Sequence, residues 1–245
     1  ITPWGSDLLV NPRESAKWRF QVRRIIASGS LFICDAQHLR DDLVLRGISR
    51  ERIHVIAFGT DVSHFNPSQR DPSLARELGF EDNAPLVISM RTLDKIYDIG
   101  TLLSAIPIVV RSRPDTRFII VGDGPERTAL EHKAHSLGVN ALVRFVGRLP
   151  DIDMVRYTAS ASAYVSTSLS DGGLAAATAE AMSCAVPPVI SDFGDNATWV
   201  NNGVNGFLFP CKDTSTLAAR LIELLSDNDL AIRLGSRARK TIEKF

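Results

Sequence analysis

The stretch LSDGGLAAATAEAM places an acid and two glycines in front of an alanine-rich run. The pattern predicts a helix over 173–184, with Ser170 or Asp171 as its N-cap. The first free N–H groups of such a helix, together with its dipole, attract anions. Gly172 and Gly173 carry no side chain that would keep a phosphate away. We therefore expect an anion site at the start of this helix.

Glu180 is the carboxylate of the same predicted helix. It follows Gly173 by about two turns, roughly 10 Å along one face. That separation suits a ligand with phosphates at the helix start and a polyol further along, because a carboxylate accepts hydrogen bonds from two vicinal hydroxyls. The same spacing also allows a plain structural interpretation, in which Asp171 only caps the helix and Glu180 is solvated or ion-paired.

Two basic residues follow the strand-like run PLVIS, within MRTLDKIYD. The carboxyl ends of strands in open parallel sheets face the ligand crevice. Arg91 could bind a diphosphate through its planar fork, and Lys95 as a point charge. Loop cations are also commonly just solvated. The next turn, in VGDGPERTALE, either contacts a nucleotide or is a plain strand-to-helix turn.

The sequence lacks the motifs of several other kinds of site, namely those for dinucleotides, metal ions and hydrolase catalysis. A dinucleotide fingerprint in VGDGPER needs a third glycine where Arg127 stands, and no acid ends the next strand, which disfavours NAD. The five histidines form no metal-ligand pattern, and the serine-hydrolase elbow, the P-loop and the zincin motif are missing. Cys34, Cys184 and Cys211 are widely spaced, which fits buried thiols better than disulfides or a metal site.

Short apolar runs alternate with amphipathic stretches almost throughout the chain. The runs are rich in β-branched residues and nearly continuous in hydrophobicity, which is typical of parallel strands buried on both faces. The predicted strands are residues 30–35, 52–59, 85–90, 117–124, 143–148, 162–168 and 187–192. The predicted helices are residues 13–27, 36–46, 98–112, 125–137, 151–159, 173–184, 194–201 and 214–226. This alternation predicts an α/β fold with a doubly wound, Rossmann-like parallel sheet.

Composition narrows the class of partner. The net charge of +0 gives no global field that would attract nucleic acid. No apolar run approaches the roughly 20 residues that span a bilayer, and the start lacks signal-peptide features, which favours a cytoplasmic protein. The basic stretch at 13–24 carries Trp18 and Phe20 among its charges. It allows contact with an anionic membrane, and an ordinary amphipathic surface helix is the competing interpretation.

The segment 59–85 interrupts the strand–helix rhythm. It is polar, with prolines at 67, 72 and 85, and we interpret it as a domain connection followed by one short helix and a loop. The residues before it supply two or three strands, too few for a usual sheet. We expect a chain whose first domain lacks its front part.

Taken in order, these stretches resemble the group 1 (GT4) family of retaining, metal-independent glycosyltransferases with the GT-B fold. HVIAFGTDVSHF is similar to the family's crossover between its two domains, and VISMRTLDKIYD to its phosphate loop. FIIVGDGPERTALE, RFVGRLPDIDMVRYTASASAYVSTS and AEAMSCAVPPVISDFGDNATWVNNGVNGFLFP follow in the family's order and spacing. The likeness begins at TPWGSDLL, near the start, and runs to the final helix. The ordered series carries the resemblance.

The resemblance implies roles by position. Arg91 and Lys95 would bind the pyrophosphate of the donor and stabilise the charge that develops as it leaves. Glu180 matches the second glutamate of the family's E-x7-E motif, which holds the ribose hydroxyls. Backbone groups of two further segments would meet the ligand: Val146, Gly147 and Arg148 at the nucleobase, and Gly172, Gly173 and Leu174 at the phosphates and the donor sugar.

One position departs from the family pattern. Gly172 stands where the first glutamate of E-x7-E is expected, eight residues before Glu180. Asp171 either takes over that role, as a third catalytic candidate beside Arg91 and Lys95, or leaves the sugar to backbone groups alone. If Asp171 has the role, Asp171→Ala weakens binding of a sugar nucleotide more than binding of the bare nucleotide.

The implied activity is transfer of a sugar, with retention, from a UDP- or GDP-sugar to a sugar or lipid-linked acceptor, without a metal or other cofactor. Residues 1–65 would be the tail of an acceptor-side domain. Residues 66–245 would be the donor-binding domain without its final crossover helix, so that this chain binds donor and transfers poorly. A GT-B sugar-nucleotide epimerase and a non-catalytic sugar-nucleotide-binding module are the alternatives. The expected setting is polysaccharide or glycolipid synthesis in the cytoplasm or at the inner face of the membrane.

Overall fold

The structure, a computed structural model, describes residues 1–3, 8 and 15–244. Residues 13 and 14 of the helix predicted at 13–27, and most of TPWGSDLL, lie outside the described residues. The strands are β1 (Phe32–Cys34), β2 (Ile53–Val55), β3 (Leu86–Met90), β4 (Arg117–Val121), β5 (Val143–Gly147), β6 (Ala163–Ser166), β7 (Pro188–Ser191) and β8 (Phe207–Phe209). The helices are α1 (Ala16–Ser28), α2 (Gln37–Leu45), α3 (Leu74–Glu77), α4 (Ile99–Ser112), α5 (Arg127–Ser136), α6 (Asp151–Ser160), α7 (Ala176–Ser183), α8 (Asn196–Trp199), α9 (Thr214–Ser226) and α10 (Asn228–Ile242).

Six strands form one parallel sheet in the order β5-β4-β3-β6-β7-β8, and β1 and β2 form a separate parallel pair. The larger order is that of the doubly wound Rossmann sheet, in which the chain reverses its direction of travel between β3 and β6. This confirms the predicted fold class. It also fixes a switch point at the carboxyl ends of β3 and β6, which is where ligands bind in such sheets.

The strands are buried on both faces, as their continuous hydrophobicity predicts. Val87 and Ile88 are neighbours on β3, and neither is exposed, yet they belong to different core clusters. Phe118 and Ile119 divide in the same way on β4. Because successive side chains of a strand point to opposite faces, each cluster is the core on one side of the sheet.

The structure adds two elements that the sequence patterns did not predict, β8 and α10, and corrects a third. The helix predicted at 173–184 begins only at Ala176, and its N-cap position is Ala175, which makes no side-chain capping bond. The prediction that Ser170 or Asp171 caps this helix is therefore wrong, because the chain is still extended at Ala175. The short helix expected after the connection is confirmed as α3. A division near residue 65 stays a prediction.

The two sheets meet through a polar contact. The backbone N–H groups of Gln37 and His38, at the start of α2, donate to the carboxylate of Asp195, which precedes α8. His38 Nδ1 also lies 2.9 Å from Asp195 Oδ1. Gly194 permits this approach, because a Cβ there would lie 2.6 Å from the His38 ring. Asp195 thus caps a helix that packs on the other sheet.

The three cysteines are free thiols, as predicted. Cys34 and Cys184 are buried and Cys211 is half-buried. Burial raises the pKa of Cys184 to about 12, against the opposing effect of Arg239. This thiol stays protonated at neutral pH, which suits a core side chain rather than a nucleophile.

Candidate functional site

A cleft lies at the carboxyl ends of β3, β4 and β6, at the switch point of the sheet. It consists of two adjoining cavities, which we name after their carboxylates. The Glu180 cavity has a volume of about 370 Å³ and the Asp35 cavity about 540 Å³. Both are lined by Met90, Arg91, Thr92, Ala176 and Ala177. The stretches around Arg91 and before Glu180, singled out from the sequence, therefore meet in one cleft.

Glycines after β4 bring two loops of the cleft together. Gly122 has φ +123°, and a Cβ there would lie 2.0 Å from the carbonyl oxygen of Arg91. A Cβ at Gly124 would lie 2.4 Å from the carbonyl oxygen of Leu93. The N–H of Leu93 donates to the carbonyl of Asp123 at 3.1 Å, and that of Arg91 to Val121. These bonds fix the main chain from which the Arg91 side chain enters the cleft.

Arg91 is paired with Asp171 inside the cleft. Its Nη2 donates to Asp171 Oδ1, and only 9% of the Arg91 side chain and 12% of that of Asp171 are exposed. The guanidinium carbon also lies 4.2 Å from the centre of the Tyr97 ring. Burial opposes the charged form, but Asp171 and the two tyrosines Tyr164 and Tyr97 raise the pKa of Arg91. The pair joins the end of β3 to the loop after β6, across the switch point.

The start of α7 opens where the two cavities meet. Ala176 and Ala177 line both of them, and the first intrahelical bonds are donated by Thr178 and Ala179 to Ala175. The N–H groups before them have no partner within the helix. The helix dipole adds positive charge at this end. An anion in the cleft would therefore face free donors and Arg91 together.

Glu180 lies one turn into α7 and lines its cavity. Burial raises the pKa of its carboxyl, the charge of Asp151 adds to this effect, and His64 opposes it. His64 itself is held close to Asp151, with Nε2 at 2.7 Å from Oδ2. Among the described residues no side chain donates a hydrogen bond to Glu180, and it is not ion-paired. Its acceptor capacity is thus available to a ligand.

The other predicted residues divide between the cleft and its surroundings. Arg148 lines the Glu180 cavity. The Asp35 cavity is lined by Asp171, Gly172, Gly173 and Leu174. Lys95 lies in the single turn Lys95–Tyr97, is exposed, and lines neither cavity. Two further residues, Val146 and Gly147, also stand outside both linings. The carbonyl oxygen of Gly147 accepts from the N–H of Gly122 at 2.8 Å.

The sequence patterns missed three residues of the Asp35 cavity: Asp35, Phe58 and Tyr97. Asp35 directly follows β1, so the rule that pointed to Arg91, a polar residue at the end of a parallel strand, would have found it. Phe58 falls in the strand predicted at 52–59, which ends at Val55 in the structure, and Tyr97 ends the turn Lys95–Tyr97. Only the packing of the two sheets against each other brings Asp35 and Phe58 to the switch point of the larger sheet.

The arrangement suits a ligand that is an anion at one end and a polyol at the other. Free N–H groups and Arg91 can hold phosphate oxygens. The carboxylate of Glu180 can accept from hydroxyls on one side, and Asp35 can on the other. A nucleoside diphosphate that carries a sugar has this order of groups: ribose, phosphates, sugar.

Known proteins with similar sequences are named as glycosyltransferases. The chain is 30% identical over 193 residues to a GDP-mannose-dependent monoacylated α-(1-6)-phosphatidylinositol monomannoside mannosyltransferase of Corynebacterium glutamicum, covering 76% of this chain and 50% of the relative. It is 29% identical over 226 residues to a D-inositol 3-phosphate glycosyltransferase of Nocardia farcinica, covering 88% and 49%. The chain thus spans about half the length of these curated relatives.

Solved structures show the same fold. HepE of Anabaena, in complex with UDP and glucose, superimposes with a TM-score of 0.85 at 24% identity, over 96% of this chain and 64% of that one. TarM of Staphylococcus aureus superimposes with a TM-score of 0.80 at 17% identity, over 99% and 47%. The model of the family described as glycosyl transferases group 1 matches residues 71–241, well over half of the chain. The chain belongs to this family of glycosyltransferases.

Proposed function

We propose that this chain supplies the donor-binding part of a retaining glycosyltransferase, which moves a sugar from a nucleoside diphosphate to a sugar or lipid-linked acceptor. One observation carries the proposal: the start of α7, the buried Arg91 and Glu180 line one cleft at the switch point of the sheet, and within the described part of the chain Glu180 has no side-chain partner. In the proposed complex the phosphates lie at the start of α7 and the ribose hydroxyls at Glu180. The sugar then extends into the Asp35 cavity.

The relatives support a nucleotide-sugar donor and a polyol acceptor. The mannosyltransferase from Corynebacterium is named for its dependence on GDP-mannose and for a monoacylated phosphatidylinositol monomannoside. The solved HepE structure contains UDP and glucose. We therefore propose a UDP- or GDP-hexose as donor. A lipid-linked acceptor agrees with the name of the first of these relatives.

We propose that departure of the nucleoside diphosphate needs no metal ion, with cationic side chains offsetting the charge that develops on the phosphates. Arg91 has this role in the proposal. A diphosphate in the cleft would share the guanidinium with Asp171, which now accepts from it. Lys95 would act from the rim, because it is exposed. Val146, Gly147 and Arg148 remain the proposed neighbours of the base.

A peripheral contact with the inner face of a membrane is a further part of the proposal. Helix α1 exposes Trp18 and Phe20, with 45% and 62% of their surfaces accessible, beside the charges of Lys17 and Arg23. Aromatic side chains among basic ones suit an anionic lipid surface. Within the described ranges, no helix combines the length and the apolar character that crossing a bilayer requires.

Calorimetric titration with UDP, GDP, ADP and NAD tests the proposed function. We expect one nucleoside diphosphate, UDP or GDP, to bind. Glu180→Ala should weaken this binding roughly tenfold or more, as expected for the loss of a hydrogen bond to a charged group. EDTA should leave the binding unchanged. Glu81→Ala is the matched control, because Glu81 is exposed and lines neither cavity. Preference for NAD, or no binding of any nucleotide, would contradict the proposal.

A further inference from the structure

Asp35 presents a carboxylate that the fold does not use. The residue directly follows β1, and its Oδ1 is buried without a hydrogen-bond partner among the described residues. A buried carboxylate oxygen that accepts no hydrogen bond costs free energy, so its position calls for a partner that is not part of the chain. Asp35 also lines the cavity that contains the Arg91–Asp171 pair.

Two structural explanations for Asp35 fail. It precedes α2 and could in principle cap that helix, but the N–H groups of Gln37 and His38 already donate to Asp195. It could also balance the charge of Arg91, but that guanidinium is paired with Asp171. Asp35 is therefore a carboxylate at the cavity wall with neither a capping role nor a salt bridge to Arg91.

Gly172, in the loop after β6, packs directly against this carboxylate. A Cβ at Gly172 would lie 2.5 Å from Oδ1 and 2.8 Å from Oδ2 of Asp35. The three nearest atoms all belong to the carboxyl group of Asp35, and the φ of Gly172 is not in the left-handed region. Position 172 thus has a backbone that other residues can adopt, and the carboxylate of Asp35 stands where their side chain would begin. At Gly173 the conflict is different, because a Cβ would meet the backbone oxygen of Asp35.

We infer that Asp35, reaching across from β1, is the carboxylate that binds the hydroxyl groups of the donor sugar. This inference rests on the proposed function and deepens it. A carboxylate accepts hydrogen bonds and donates none, so its partner must present O–H or N–H groups, as a hexose does. The rings of Phe58 and Tyr97 line the same cavity and offer apolar surface to the sugar. Asp171, committed to Arg91, then has a positioning role.

Titration with paired ligands tests the inference. The probes are UDP and UDP-glucose, and GDP and GDP-mannose, each with the wild-type chain and with Asp35→Asn. We expect Asp35→Asn to weaken binding of the sugar nucleotide roughly tenfold and to leave binding of the bare nucleotide unchanged, because only the sugar reaches this carboxylate. Asp41→Asn is the matched control: Asp41 is an exposed acid on α2, paired with Arg50 at 3.3 Å.

A second pair of variants tests the geometry. Asp35→Ala removes the carboxylate, and adding Gly172→Asp places a new one beside the vacated position, because a Cβ at residue 172 would lie 2.5 Å from Asp35 Oδ1. We expect the double variant to regain part of the lost sugar-nucleotide affinity, whereas Gly172→Asp alone weakens it, because two carboxylates then compete for one place. Gly172→Asp thus raises the affinity when Asp35 has been removed and lowers it when Asp35 is present. Such a reversal of sign indicates direct contact between the two positions.

The outcomes separate this inference from the function on which it rests. If the wild type binds a bare nucleotide and its sugar nucleotide, and Asp35→Asn weakens neither or both equally, Asp35 is not the sugar carboxylate and the proposed function stands. If the wild type binds none of the four ligands, the proposed function fails and the inference fails with it. Thermal unfolding of each variant shows whether a lost affinity reflects a lost fold.

Discussion

At the scale of single residues, the cleft depends on how its charges are paired. Arg91 and Asp171 are both nearly buried and satisfy each other, whereas neither Glu180 nor Asp35 has such a partner among the residues that the structure describes. A paired charge holds the cleft together, and an unpaired acceptor is available to a ligand. The same distinction separates residues whose loss lowers stability from residues whose loss lowers affinity.

Asp171→Ala should lower the free energy of unfolding by about 3 kcal/mol, because removing one partner leaves the guanidinium of Arg91 buried and uncompensated. Asp115→Ala is the matched control. It breaks the pair with Arg113, which is 3.0 Å long and partly exposed, with 25% and 46% of the two side chains accessible, and should cost less than about 1 kcal/mol. Urea unfolding of both variants gives the two values. Equal losses would contradict a structural role for the Arg91–Asp171 pair.

Glu180 should make stability depend on pH in a defined direction. Its pKa in the folded chain is raised above the ordinary 4.5, first by burial and then by Asp151, so the folded state favours the protonated form. The stability that protonated Glu180 contributes is complete below pH 4.5, and it is lost as the pH rises through the raised pKa of the folded chain. The Glu180→Gln variant should therefore be more stable than the wild type at about pH 8. The difference in stability should be smaller at about pH 4. Melting temperatures at both pH values check this, and a difference that does not grow with pH would refute it.

The sequence predicted the residues of the cleft better than their partners. Arg91, Glu180 and the glycine pair were singled out because their types and local spacing are unusual. The pairing of Arg91 with Asp171 was not predicted, because the two lie on loops 80 residues apart. Asp35 follows β1 as Arg91 follows β3, so the strand-end rule applies to it, but its place at the cleft of the larger sheet depends on how β1 docks there.

At the scale of elements, local patterns predicted most strands and helices to within a few residues. The helix from Ala176 began later than predicted, because the preceding glycines pack against Asp35 rather than continue the helix. Strand β8 was not predicted, because its three apolar residues stand directly between Gly206 and Pro210, whereas the equally short β1 and β2 lie within longer strand-like runs. Helix α10 contains Gly235, which argues against a helix locally, yet a Cβ there would lie 1.9 Å from the carbonyl oxygen of Ala185. Close packing required glycine in that helix, and a sequence pattern does not show it.

Gly122→Ala should distort the loop that carries Arg91. The residue has φ +123°, a conformation that costs an alanine about 1–3 kcal/mol, and the clash with the Arg91 carbonyl should add about 1–3 kcal/mol. Gly138→Ala is the control, since Gly138 also has positive φ (+68°) but nothing lies within 4 Å of its Cβ position. Urea unfolding should show the larger loss for Gly122→Ala. If the two variants lose equal stability, close packing of the two loops does not explain Gly122.

At the scale of the whole molecule, the cleft is shared by two sheets. The larger sheet supplies Arg91, the start of α7 and Glu180, and the β1–β2 pair supplies Asp35 and the helix that Asp195 caps. The doubly wound fold class could be predicted from the sequence, because it depends only on the alternation of strands and helices, whereas the strand order that locates the switch point comes from the structure. How the second sheet docks depends on contacts such as Gly194 against His38, which no local pattern encodes.

The central claim, that the switch-point cleft binds the nucleotide, is tested most directly by hydrogen exchange of the wild-type chain with and without saturating UDP and GDP. The account predicts slower exchange at the start of α7 and in the loop after β3, at Ala176, Ala177 and Thr92, with little change in α9 on the far side of the core. Protection confined to other parts of the chain, or a nucleotide that binds without protecting the start of α7, would contradict it.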